Sequence, residues 1–68
     1  MRFMVVLEGS VWDVYEVGTG QPMASFETQE EAVRAARHLA EITEAELLVM
    51  NADGTLGSRE CHALRATA

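Results

Sequence analysis

The chain has one cysteine, one proline and four aromatic residues among its 68. The single thiol, Cys61, excludes an internal disulfide and fits a reducing compartment. Basic residues are also few: five arginine or lysine against eleven acidic residues, a formal charge of −6 and a pI near 4.6. So acidic a chain is repelled by phosphate backbones and by anionic bilayers, which makes nucleic acid an unexpected partner and a membrane surface a poor one. Long apolar runs are missing. The opening stretch Phe3 to Leu7 ends at Glu8, far short of the ~20 residues that span a bilayer and of a ~7–15-residue signal core. These absences favour a cytoplasmic protein with no membrane association.

What is present is the composition of a folded protein, 49% hydrophobic and 24% charged. The length suits one small domain over residues 1–68, with a core too small for comfort. Chains of this size commonly add a disulfide, a metal or a partner subunit. With one cysteine and few metal ligands, association is the remaining route.

Local patterning predicts the order β-β-β-α-β-β. Phe3 to Leu7 and Val11 to Val17 are rich in β-formers and flank Gly9-Ser10, which suits a type II′ hairpin. Pro22 confines the next strand, Met23 to Phe26, to a sheet edge. Thr28-Gln29-Glu30-Glu31 is a capping box, in which the Thr28 hydroxyl accepts from the Glu31 amide and the Glu31 carboxylate returns to the Thr28 amide. From there to about Thr43, Ala32, Val33, Ala36, Leu39, Ala40 and Thr43 recur at helical spacing. Glu30–Arg34 and Arg37–Glu41, four apart, pair along the other face. Glu46 to Met50 is a strand, Asn51-Ala52-Asp53-Gly54 a turn, and Thr55 to about Cys61 the return strand. Ala63 to Ala68 has no pattern and is expected to fray. The fold class is α+β: a curled antiparallel sheet with one helix packed on one face. Its expected core is Phe3, Val5, Leu7, Trp12, Val14, Phe26, Val33, Ala36, Leu39, Ala40, Leu47 and Val49.

Few residues are arranged for chemistry. Ser10, Ser25 and Ser58 lie in turn or edge positions without a nucleophile-elbow sequence around them. Cys61 and His62 are strand neighbours and point to opposite faces, which works against a thiolate–imidazole couple. His38, on the charged helix face, adds no ligand spacing that would hold zinc. Asp13 and Glu16 alternate with apolar residues and read as solvent positions, and Asp53-Gly54 lacks the acidic ligands of a calcium loop. Gly18-Thr19-Gly20 precedes no helix and is no phosphate cradle. Arg34, Arg37 and His38 form the one basic spot, ringed by glutamates. No enzyme, no metal and no cofactor is expected.

The apolar residues carry more information. Phe3, Val5 and Leu7 alternate with Met4 and Val6; Trp12 and Val14 alternate with Tyr15 and Val17; Leu47 and Val49 alternate with Leu48 and Met50. Three strands are thus apolar on both faces, and one helix can cover only one of them. The other face is expected to form a homodimer interface through Met4, Val6, Tyr15, Leu48 and Met50, unless the last strand and the tail fold over it.

The W-x-V strand (Trp12 to Val14), the helix E-E-A-V-x-A-A-R-x-L-A (Glu30 to Ala40) and the A-E-L-x-V…D-G hairpin (Ala45 to Gly54) together resemble a family of small bacterial domains of unknown function. The likeness runs from about Val11 to Glu60 and implies no catalytic residues. Members often carry a basic loop after the W-x-V strand and a basic final strand; here those places hold Gly18-Thr19-Gly20-Gln21 and a lone Arg59. More distantly, Thr28 to Ala32 resembles the T-x-E-E-A helix start of HicB-type antitoxins. That likeness implies an acidic module masking a basic toxin, although the P-D-L-P-G-C segment and a DNA-binding domain are absent. The expected function is a non-enzymatic, self-associating or protein-binding module. The alternatives are a nucleic-acid-associated accessory domain and a toxin-neutralising module.

Overall fold

A computed structural model describes residues 1–62. It contains β1 (Arg2–Glu8), β2 (Val11–Glu16), β3 (Pro22–Phe26), α1 (Gln29–Thr43), β4 (Glu46–Met50) and β5 (Leu56–Cys61). The order is the one the residue patterns predict. The tail at 63–68, expected to fray, lies outside the described residues.

Gly9 takes φ +65°, which the first position of a two-residue II′ turn requires, and joins β1 to β2. In α1 the Glu31 amide donates to the Thr28 hydroxyl at 3.1 Å. The Glu31 carboxylate returns to that same hydroxyl, at 3.2 Å, where the capping box predicts the Thr28 amide. The hydroxyl can donate to one group while accepting from another, so the cap closes through one side chain. The helix ends at Glu44, which adopts the left-handed conformation (φ 58°), and the Ala45 amide reaches back to the Ala40 carbonyl at 2.9 Å.

The five strands form one sheet in the order β3-β2-β1-β4-β5, with β1 in the middle. It is mixed, which corrects the antiparallel expectation: β1 and β4 run parallel, with Phe3 beside Leu47 and Val5 beside Val49. The reason is the helix. Two hairpin turns leave β3 parallel to β1, and α1 then carries the chain back to the end where β1 starts. A strand that follows such a crossover must run parallel to the one that preceded it. The remaining pairs, β1–β2, β2–β3 and β4–β5, are antiparallel.

The core lies between the sheet and α1. It comprises Phe3, Val5, Val14, Leu47 and Val49 from the sheet, with Ala32, Ala36, Ala40 and Ala45 from the helix and its exit. Ala32, Ala36 and Ala40 are fully buried, so the helix seats its smallest side chains directly on the strands. Trp12, Phe26, Val33 and Leu39 border this centre at partial exposure. Leu7 is half-buried at the sheet's end rather than central, because it lies two residues beyond Val5, the last of the four β1–β4 partners. Among the described residues no helix is long and apolar enough to cross a membrane.

Candidate functional site: the open face of the sheet

Alternation along each strand assigns the face turned away from α1. β1 supplies Arg2, Met4, Val6 and Glu8; β2 supplies Val11, Asp13 and Tyr15; β4 supplies Glu46, Leu48 and Met50. Met4, Val6, Tyr15, Leu48 and Met50, the five expected interface residues, therefore share one face on three adjacent strands. Met4 pairs with both Tyr15 and Leu48, and each of the five is partly exposed. Leu56 on β5, 53% exposed, extends the patch beside Met50. Leu56, Met4, Leu48 and Met50 line a shallow groove of about 350 Å³ whose far wall is Arg2, Glu46 and Arg59.

The patch has polar groups at defined places. Glu46 takes the Arg2 Nε at 2.7 Å on one carboxylate oxygen and the Arg59 Nε on the other. The Arg59 guanidinium first, and Arg2 with it, hold the Glu46 carboxyl below its usual range. Toward the opposite end of β1, the Tyr15 hydroxyl donates to Glu8 at 3.2 Å. Partial burial, that hydrogen bond and the negative charges of Glu8 and Asp13 raise the Tyr15 pKa.

Asp13 corrects the expectation of a solvent position. It points to the open face, yet it is only 5% exposed, and the Ser25 hydroxyl donates to it at 2.5 Å. Its strand is covered on both sides: Val6 is its partner on β1 and Ser25 its partner on β3. The short Asp13 side chain is bonded to the Ser25 hydroxyl on the neighbouring strand and so is enclosed even though no helix lies above it. The i,i+2 alternation could not reveal this, because it sees the face but not the neighbours. Glu16 falls on the helix side and is half-buried.

On the helix side a second groove, of about 500 Å³, separates α1 from β5; Val33, Arg34 and Arg37 face Asn51 and Ser58 across it. Arg37 closes one end of it with a two-pronged ion pair to Glu60, at 2.7 and 3.0 Å. The expected Arg37–Glu41 pair gives way to this one, since a fork-on-carboxylate geometry outweighs a single contact along the helix. His62 Nε2 lies 2.8 Å from the same Glu60. Held chiefly by Arg37 and then by His62, the Glu60 carboxyl has its pKa lowered to about 2. Gly57 keeps the groove floor tight: a Cβ there would meet the Asn51 amide oxygen at 2.6 Å. Exposed Cys61 and His62 do not form a couple, because the imidazole is engaged with Glu60. His38 is exposed on α1. Among the described residues no group of three or more His, Cys, Asp or Glu side chains is placed to hold a metal.

A family profile described as "Uncharacterized protein conserved in bacteria (DUF2188)" matches residues 3–61. Comparison with the curated proteins and with the solved structures finds no match.

Proposed function

We propose, from the premise that the chain belongs to this bacterially conserved family of uncharacterized proteins, that it is a non-enzymatic module that pairs with a second copy of itself through the open sheet face. One observation carries the reading: Met4, Val6, Tyr15, Leu48 and Met50 lie side by side on three adjacent strands with no element of the described chain above them. Partly exposed apolar side chains gathered in one contiguous patch, rather than scattered singly, are the kind of surface that marks an interaction site. A two-fold axis lets such a patch cover itself, and closed two-fold dimers are the commonest assemblies of soluble chains. The two methionines adapt to an imperfectly matched surface, and Tyr15 can bury its ring while its hydroxyl stays at the rim. Pairing also enlarges a core that a chain of this length builds only sparingly. The free thiol Cys61 is compatible with a reducing, cytoplasmic setting.

Sedimentation or light scattering at micromolar concentration tests the reading. The expected result is a dimer mass for the parent and a monomer mass for Val6→Asp and for Leu48→Asp, with circular dichroism showing both variants folded. A parent that sediments as a monomer removes the proposal. A monomer that instead forms a stable complex with a basic protein would favour the toxin-neutralising alternative. Salt-sensitive binding to DNA or RNA would favour the accessory-domain one.

A further inference from the structure

The charges at the two ends of β1 specify how the copies would meet, an inference that rests on the self-pairing reading above. On the open face β1 presents, in order, Arg2, Met4, Val6 and Glu8. At the Arg2 end, one carboxylate, Glu46, faces two guanidiniums, Arg2 and Arg59, which leaves an excess positive charge. At the other end, Glu8 receives only the neutral Tyr15 hydroxyl among the described residues, an excess negative charge. The two ends lie about 20 Å apart at the rise of an extended strand, with the apolar patch between them. β1 is the central strand of the sheet and of that patch.

Two symmetric ways exist to lay this face on itself along β1. A two-fold axis running parallel to the strands stacks Arg2 on the partner's Arg2 and Glu8 on the partner's Glu8. An axis lying across the strands, level with Val5, stacks the two β1 strands antiparallel. It sets Arg2 over the partner's Glu8, Met4 over the partner's Val6, and both again by symmetry. Like charges juxtaposed across an interface are costly, and opposite ones fix register. We infer that the molecule forms a face-to-face sheet sandwich about the axis across the strands, with Arg2 and the partner's Glu8 closing both rims. Such aligned packing keeps the sheets ~10 Å apart with strands within about 30° of antiparallel, as in other sandwiches.

Charge reversal tests the arrangement separately from dimerisation itself. Glu8→Arg and Arg2→Glu, each alone, should weaken self-association at low salt by about tenfold or more, an effect that shrinks as salt screens the rim. Glu8→Arg is the cleaner of the two, since it leaves the Arg2–Glu46–Arg59 contacts intact. Mixing the two variants should restore pairing as a heterodimer, and the double variant Arg2→Glu/Glu8→Arg should pair like the parent. Native mass spectrometry separates the species by mass. A Glu8→Arg protein that dimerises as tightly as the parent, while Val6→Asp is monomeric, overturns this axis but leaves the dimer standing. A mixture that fails to form heterodimers overturns it as well. A monomeric parent removes the underlying reading together with this one.

Discussion

Asp13 and Ser25 show how strongly a single position depends on its neighbours. The carboxylate is 5% exposed, and its described side-chain partner is the Ser25 hydroxyl. A buried acceptor that loses its donor bears the full cost of desolvation. Ser25→Ala should therefore destabilise the fold by about 1–3 kcal/mol, more than an exposed edge serine would suggest. Replacing both partners, as in Asp13→Val/Ser25→Ala, should recover much of that loss, because no orphaned charge remains. Urea midpoints of the three proteins check this. A Ser25→Ala protein as stable as the parent would mean that the hydrogen bond contributes nothing. Ser25 lies twelve residues from Asp13 in the chain, and nothing in either strand's alternation joins them.

At the scale of elements, the helix and the last strand are tied by Arg37, Glu60 and His62. The Arg37 guanidinium, with His62, lowers the Glu60 carboxyl from its ordinary 4.5 to about 2 in the folded protein. Its pKa is depressed by folding, so the stability it contributes is fully present above about 4.5 and is lost as pH falls toward about 2. Glu46, also lowered, contributes in the same direction. The expected outcome is an acid limb of declining stability over that window that becomes shallower in Glu60→Gln and keeps a remainder from Glu46. Thermal melts between about pH 6 and pH 2 measure it. An acid limb identical in Glu60→Gln would show that the tie contributes no pH dependence. Part of this element was legible beforehand. The spacing of the alanines and the Thr28 cap place α1 at Gln29–Thr43, but helical spacing offers Arg37 only Glu41 as a partner. Glu60 is 23 positions away and meets Arg37 only because β5 pairs with β4 and turns Glu60 to the helix side of the sheet, where the long Arg37 side chain reaches it across the groove.

For the whole molecule, the proposed dimer has a consequence that needs no variant. A ligand that binds only the folded state raises the melting temperature with its concentration, and in a homodimer the ligand is the protein itself. Tm should rise steadily as the protein is taken from low to high micromolar concentration, and should stay level in Val6→Asp. A concentration-independent Tm in the parent would place the open face outside any tight self-association. The sheet also has edges at β3 and β5. Pro22 and the register shift opposite β3 blunt the first, and the shift opposite Met50 distorts the second. Both features disfavour edge-to-edge growth and leave the face as the surface to cover.

Local interactions, which the sequence by itself records, determined the element order, the II′ turn at Gly9, both ends of the helix and the two-sided apolar character of β1, β2 and β4. Each depends on residues a few positions apart: a cap on its third neighbour, a face on its second. Only the tertiary structure decided that β4 runs parallel to β1, that Asp13 is enclosed, that Leu56 joins the open face and that Arg37 turns to Glu60. These depend on which strand lies beside which, and that order is set when the helix crosses back over the sheet and seats Ala32, Ala36 and Ala40 against it. The contacts that follow join residues far apart in the chain, where no periodicity reaches.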